Sequence, residues 1–551
     1  MSDVPPRAGR QGPAPEEPPT PAAVLRASTG VTPEQLTPEG RRLLPHDSRF
    51  VKQQSGWTLC HREDMTDEQR ETVRELVAGF DAPAASGGVF ARTVADITGY
   101  TGSANLKLPP VNIPLVHDRP IKEPPRRYTG KEREEIDKKF NELKAANLIE
   151  RAEDTNAYAM NVTVPSKMQP DGTISYHVCG DARRLNEATV CDGYQIPRIE
   201  DLFDAVASKA WITKADCRAA FAQLWLAEED RRKTAFWWGR ELWQHKRLLY
   251  GLRNATSHWQ RVVDSHAREY GLEGVLFIYV DDCALVSNTF EEHLEHLHRF
   301  FTMMRDIGIK LHPDKTYLCA DSIDYLGHQI SGSGMSPVQA RVAAFQALRA
   351  PNSLNACQRL LGLLNYYRCY IDHWAVKMAP ITKLLKKDVV WGPETWGPEQ
   401  QLALDTVKAE FAREGLILRA YDPSWPLILH TDWCEDGVSG VLGQLDDDAR
   451  EYMVACVSRT CNVHERRYGS YKGELLAAVW AIQTLRPYLH ATPFTLVTDH
   501  APLEWLMSQP ELTGQAARWA MILQQYSFSV VHRPGLLNQN ADALSRDPLP
   551  T

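Results

Sequence analysis

The sequence predicts a multidomain chain, an α+β portion followed by an α/β unit, and three observations carry that prediction. The 551 residues are 43% hydrophobic, more apolar material than one core uses, since single cores stop growing at roughly 250–300 residues. Up to about position 335, helical apolar periodicity alternates with short β-type runs. Beyond a linker rich in Trp and Pro, Trp391–Pro398, strand, helix and strand characters follow one another again. Two globular parts are expected, one of them divided into subdomains.

Residues 1–60 read as a disordered arm: prolines crowd its first fifty positions and no periodicity appears. A short helix is expected from Thr66 to Phe80, with Leu76, Val77 and Phe80 on one side, inside a linker over 61–109. Order begins in earnest near Val111. Thr129 with Glu132 makes a capping box ahead of Ile136, Phe140 and Leu143. Mixed strands and helices follow: the strand-like Ala210–Thr213, a helix after Thr256, and the apolar run Val275–Val280. A second capping box, Thr289 with Glu292, opens a helix carrying Leu294, Leu297, Phe301 and Met304, which Gly308 ends. His293 and His296 lie one turn apart on it, among Glu291, Glu292 and Glu295. They read as a solvated face rather than a metal site. From Ser336 to about Pro380 the pattern is helical and basic, and the last unit starts near Pro426.

The net charge is −8, which is not the profile of a basic nucleic-acid coat. Its distribution is uneven. Ile309–Val390 holds ten Lys and Arg against five Asp and Glu, whereas Pro426 to the end holds nine against fourteen. A basic middle and an acidic tail suit a duplex-binding segment followed by a carboxylate-rich site, although surface scatter gives the same count. The eleven cysteines form no Cys-x-x-Cys pair and no zinc spacing, so free thiols are expected. Met1–Arg10 has no apolar signal core and no run approaches a membrane span, which predicts a soluble, intracellular protein.

The chemistry concentrates in carboxylates. In Val275–Val286, Asp281 and Asp282 interrupt two apolar β-type runs, the pattern of a strand–turn–strand with acids at its tip. An Asp at a tight turn is also common in a plain hairpin. Two like charges in an apolar setting need a cation or a proton, and a cation held between strands calls for a third carboxylate. Asp216, closing Trp211–Ala215, fits. After the linker, Leu427–Thr431 is an apolar strand ending at Asp432. Glu474 opens a helix with Leu475, Val479 and Ile482 on one face, and Phe494–Thr498 is a strand ending at Asp499. Taken singly, each of these acids reads as an element terminus.

Tyr279-Val280-Asp281-Asp282 resembles the signature of retroelement reverse transcriptases, and Lys214-Ala215-Asp216 resembles their first catalytic strand. Leu249-Tyr250-Gly251-Leu252-Arg253-Asn254-Ala255 resembles their template- and nucleotide-contacting loop. Arg183-Arg184-Leu185-Asn186, Tyr194-Gln195-Ile196-Pro197-Arg198, Tyr325-Leu326-Gly327-His328 and Leu361-Gly362-Leu363-Leu364-Asn365-Tyr366-Tyr367 extend the likeness, which covers roughly positions 110–546 in the order of the gypsy-type retrotransposon family.

The resemblance implies a right-hand polymerase (fingers, palm and thumb) followed by a ribonuclease H-like domain. It suggests fingers and palm over 110–335, a thumb-like segment over 336–385 and a connection over 386–425. A ribonuclease H domain over 426–546 and a tail over 547–551 complete the scheme. It further implies Asp216, Asp281 and Asp282 as metal ligands of the polymerase, and Asp432, Glu474, Asp499 and Asp542 as those of the ribonuclease, with His532 helping product or proton leave. Phe221 would exclude a ribose 2′-hydroxyl, unless it is simply a core aromatic. Lys167, Tyr250, Gly251 and Arg253 would contact nucleotide or template.

Two Mg2+ per site, with Mn2+ as a substitute, are the implied cofactors. RNA template, DNA primer, RNA–DNA hybrid and deoxynucleoside triphosphates are the implied partners, with no membrane. A homodimer and a location in cytoplasmic virus-like particles or the nucleus are further expectations. The sequence departs from the family at Arg218-Ala219-Ala220, at Leu249 where Pro is usual, at Trp433-Cys434 where small residues are usual, and at His177 in place of a triphosphate-binding Arg. No Asp-Ser/Thr-Gly protease motif, zinc knuckle or integrase His/Cys pair occurs, as in a polyprotein segment. A decayed or host-adopted relic that only binds nucleic acid is the alternative, and a ribonuclease H with a polymerase fold kept as a clamp is a third.

Overall fold

A computed structural model of the chain describes residues 49–532 other than 84–85, 99–107, 118, 154, 169–173, 207–208, 393, 414, 447–449 and 499–513. Most of the Pro-rich arm, the final tail, Asp499 and Asp542 lie outside the described residues.

The central feature is a six-stranded sheet. Its strands are β1 (Phe50–Lys52), β2 (Thr58–Cys60), β3 (Trp211–Asp216), β4 (Leu276–Tyr279), β5 (Asp282–Ser287) and β6 (Tyr317–Ala320), in the spatial order β1-β2-β6-β3-β5-β4. β3 and β5 are almost wholly buried, and β5 accordingly carries the continuous apolar run Cys283–Val286. One face carries Ala215, Cys283 and Leu285 into a core with Trp259, Val262 and Val263 of α1 (Ala255–Glu269) and with Phe300, Phe301 and Met304 of α2 (Phe290–Ile307). The other face sends Ile212, Ala284 and Val286 into a second core with Phe203 and Val206 of α3 (Ile199–Val206). Leu360, Leu361 and Leu364 of α4 (Leu354–Asn365) close that side. The sheet is therefore clamped between two helical layers, which fixes the ends of β3 and β5 against each other.

Two expectations need correction. Phe50–Lys52 is not part of a disordered arm, because it pairs antiparallel with Thr58–Cys60 at the edge of the central sheet. The Ser55-Gly56 turn between Phe50-Val51 and Trp57–Cys60 is the signal that the proline count masked. His293 is not on a solvated face either. It is fully buried, with Nε2 2.8 Å from the Thr213 hydroxyl and Nδ1 3.0 Å from the Ser287 hydroxyl. The neighbouring glutamates fill the rest of that helical turn while the imidazole turns inward onto the sheet. Both predicted capping boxes form, at Thr129–Glu132 and Thr289–Glu292, and a third closes the start of the helix Asp67–Ala78 at Thr66.

The C-terminal unit is a five-stranded sheet of β7 (Leu427–Cys434), β8 (Gly437–Leu445), β9 (Glu451–Thr460), β10 (Phe494–Thr498) and β11 (Phe528–His532), ordered β9-β8-β7-β10-β11. The hairpins β7–β8 and β8–β9 are antiparallel, whereas β7–β10 and β10–β11 are parallel. Parallel pairing needs crossovers, and the helix α5 (Ser470–Thr484) supplies one. Its Leu475, Val479 and Ile482 sit in the core with Leu427, Leu429 and Leu442. This unit touches the rest of the chain: the Tyr488 hydroxyl donates to Asp204 of α3 at 2.5 Å. Among the described residues no helix is long and apolar enough to cross a membrane.

Candidate active sites

In the β4–β5 hairpin Tyr279 pairs with Asp282, so Val280 and Asp281 make a two-residue turn. Val280 has φ 59°, a backbone state that a β-branched residue occupies only when its surroundings impose it. Helix α1 imposes it. Trp259 Nε1 donates to the Val280 carbonyl, Gln260 Oε1 accepts from the Val280 N–H at 3.2 Å, and Gln260 Nε2 donates to the Ile278 carbonyl at 2.8 Å. The Asp281 carbonyl accepts from the Cys217 N–H at 2.7 Å. The turn is thereby held against the end of β3, and Asp282 pairs directly with Asp216.

Three carboxylates thus share one strand-end corner, and their electrostatics show the cost. Burial pushes the Asp216 carboxyl up to about 6, with Asp282 and Asp281 adding to the rise and Lys315 opposing it. Burial also raises Asp281. Lys315 Nζ lies 3.1 Å from Asp216 and Lys214 Nζ lies 3.4 Å from Asp282. Among the described residues no three Asp, Glu, His or Cys side chains are gathered closely enough to hold a metal ion as they stand. The two lysines are the cations these acids meet.

Phe221 is buried, and its ring meets that of the half-exposed Tyr250 edge to face at 4.8 Å. Gly251 has φ 92°, a conformation that favours glycine. Asn186 staples this loop: its Nδ2 donates to the Gly251 carbonyl at 2.7 Å and its Oδ1 accepts from the Arg253 N–H at 2.8 Å. The Arg253 guanidinium is engaged with the Asn186 and Thr189 carbonyls at 3.3 and 3.2 Å, which makes it a brace of the loop. Lys167 is described through its backbone, which pairs with Ser175, and the His177 N–H donates to the Pro165 carbonyl at 2.9 Å.

In the C-terminal unit Asp432 sits on β7 opposite Ser439, and Glu474 is buried near the start of α5. His430 pairs with Val497, and Thr498 pairs with His532. The ends of β7, β10 and β11 therefore lie side by side. Asp499 and Asp542 fall outside the described residues, as does the side chain of His532. Trp433, the residue unusual after the first acid, lies flat on Gly473: a Cβ there would fall 2.1 Å from its ring. The indole thus packs on α5 one residue before Glu474.

Lys315, Lys214, Trp259, Gln260 and His373, whose Nδ1 is 3.4 Å from Asp432 Oδ2, were not singled out from the sequence. Their partners are distant in the chain or set by pairing register, and no local motif encodes either.

Residues 168–330 match the family "reverse transcriptase (RNA-dependent DNA polymerase)", and residues 422–526 match the "RNase H-like domain found in reverse transcriptase". The chain is 33% identical over 383 residues to the retrovirus-related Pol polyprotein from transposon 297 of Drosophila melanogaster, covering 70% of this chain and 35% of that protein. It is 31% identical over 381 residues to that from transposon gypsy of the same organism, covering 67% and 36%.

The chain belongs to the reverse transcriptase–RNase H family of long-terminal-repeat retrotransposon Pol polyproteins. It spans about a third of the length of those curated relatives, as it does of the Tf2-3 polyprotein of Schizosaccharomyces pombe (28% identity, 81% and 32% covered). A foamy viral protease–reverse transcriptase in complex with dsDNA shares the fold, with a TM-score of 0.70 at 17% identity over 86% of this chain and 95% of that one. The same kind of protein in complex with an RNA/DNA hybrid gives 0.68 at 17% identity, over 89% and 63%. Strands β3 to β6 of the six-stranded sheet lie within the matched reverse transcriptase segment, and strands β7 to β10 of the five-stranded sheet lie within the matched RNase H-like segment.

Proposed function

We propose that this chain copies RNA into DNA and degrades the RNA strand of the resulting hybrid. The observation that carries the reading is the pairing of Asp282 with Asp216, beside the strained Val280-Asp281 turn. Three acids are held together at a cost that the fold sustains through Trp259 and Gln260. Strain and like charge kept at one corner point to a use for it.

Oxygen donors of this kind suit a hard divalent cation. Asp216, Asp281 and Asp282 would hold Mg2+, or Mn2+ in its place, in the palm. Asp432 and Glu474, with Asp499 and Asp542, would hold it in the RNase H-like domain. Bound there, the cations supply Lewis-acid stabilisation of the attacking and leaving oxygens of phosphoryl transfer. The chain's own residues do the rest. Phe221 and Tyr250 form the floor on which the sugar of an incoming deoxynucleoside triphosphate would rest, and Asn186 and Arg253 keep that loop in shape. Lys315 would hold Asp216 charged while template and primer load. The RNA/DNA hybrid and dsDNA complexes among the structural neighbours support RNA, DNA and their hybrid as partners.

The test uses one substrate, a labelled RNA template annealed to a recessed DNA primer, with deoxynucleoside triphosphates and Mg2+. The reading expects primer extension together with cuts in the RNA, both abolished by EDTA. Tight hybrid binding with neither activity would favour a relic that only binds nucleic acid.

A further inference from the structure

We propose that His373 is a positioning residue for the RNase H-like site, tying its first carboxylate to the helical segment over 336–385. The inference rests on the reading of Asp432 as a metal ligand.

Asp432 pairs with Ser439, and Ser439 pairs with Ser458, so the three form one rung across β7, β8 and β9. The start of a short helix, Trp374–Lys377, is seated on that rung. Nδ1 of His373 lies 2.8 Å from the Ser439 hydroxyl and 3.4 Å from Asp432 Oδ2, and the Ala375 N–H donates to the Ser458 hydroxyl at 3.1 Å. The approach is close: a Cβ on Gly437 would meet Val376 at 3.0 Å and Ala375 at 3.8 Å. The seat is anchored behind by Lys377, which bonds Asp372 at 2.5 Å and Glu410 at 2.8 Å.

His373 adopts the left-handed conformation, φ 46° and ψ 26°. A residue other than glycine keeps that state only where its contacts over-determine it. Those contacts are the rung itself. The His373 ring bonds the Ser439 hydroxyl and stands 3.4 Å from Asp432 Oδ2, so it walls one side of the carboxylate and limits its rotamers. Such outer partners orient metal-binding carboxylates, and losing one typically costs tenfold or more in metal affinity or activity. His373 lies ahead of the linker, in the segment over 336–385, so hybrid cleavage depends on the docking of that segment.

The test uses the full chain carrying Asp281→Asn, so that the palm contributes little to the Mg2+ response. Two quantities are measured for His373→Ala and His373→Asn: the Mg2+ concentration giving half-maximal hybrid cleavage, and that giving half-maximal rise in melting temperature. Asn accepts the left-handed backbone and keeps a donor near the Nδ1 position. The proposal expects both midpoints to rise about tenfold for Ala and to stay near the starting value for Asn. Unchanged midpoints for Ala, or equal shifts for Ala and Asn, would overturn it. Adding Asp432→Asn in place of the His373 changes separates the two levels. If that variant still cleaves and still responds to Mg2+, the reading of the site falls and the proposal with it.

Discussion

Lys315 donates to Asp216 across 3.1 Å, yet the carboxyl of Asp216 still stands at about 6 against an ordinary 3.8. Burial and the facing acids therefore outweigh the lysine. With the folded value raised, ionisation disfavours the folded state. The cost is absent below about 3.8 and complete above about 6, at up to about 2–3 kcal/mol by the shift. Asp216→Asn carries neither charge nor that cost. In EDTA at neutral pH it should melt at or above the wild-type temperature, lose the advantage near pH 4, and fail to extend a primer. Melting several degrees below wild type at neutral pH would show that the acid is structural.

Phe221 and Tyr250 meet edge to face at 4.8 Å. If Phe221 carries the sugar, Phe221→Val opens room for a 2′-hydroxyl. The ratio of ribonucleotide to deoxyribonucleotide incorporation should rise at least about tenfold, the scale of a steric mismatch of this size. Single-nucleotide incorporation kinetics give the ratio. An unchanged ratio in a variant that still extends primers would make Phe221 a core aromatic.

Gly473 and Trp433 should be coupled. A Cβ on Gly473 would lie 2.1 Å from the Trp433 ring, so Gly473→Ala should destabilise the RNase H-like domain by about 1–3 kcal/mol, the range for overpacking. Glu474 is the next residue, so hybrid cleavage should fall as well. Trp433→Ala in the same chain should restore much of both. Double-mutant melting and cleavage rates check it, and additive losses would refute the contact.

His293 gives an acid-sensitive palm. Burial, then His296 and Arg62, push it down to about 3 from an ordinary 6.5. The unfolded chain therefore takes up the proton first. Its contribution is complete above about pH 6.5 and is lost as pH falls towards 3, with a slope of up to about 1.4 kcal/mol per pH unit. His293→Gln keeps hydrogen-bonding capacity without titrating, so its denaturation midpoint should fall less steeply between pH 6.5 and 4.5. Parallel slopes for the two proteins would contradict this.

The sequence made legible whatever local rules encode. Capping residues marked the helices at Thr129 and Thr289, and the apolar runs around Asp281-Asp282 marked a hairpin. Asp216 marked the end of its strand, whereas the strand expected to stop at Asp432 runs on to Cys434 because Trp433 and Cys434 still pair with Val438 and Gly437. Contacts set at long range were not legible. His293 sits beside three glutamates in sequence, and only the fold turns it onto Thr213. Lys315 stands 99 positions from Asp216, and His373 reaches Asp432 through a helix seat that no periodicity announces. The edge strand Phe50–Lys52 was hidden because its short apolar run follows a proline-rich arm and finds its partner only across a turn.

The central claim is that one chain carries two separate carboxylate sites. The most direct measurement scores primer extension and RNA cleavage on the same labelled template–primer, for Asp281→Asn and for Asp432→Asn. Asp281→Asn should abolish extension and leave RNA cleavage largely intact, and Asp432→Asn should do the reverse. A single substitution that silences both activities in a protein that still melts cooperatively would contradict the account.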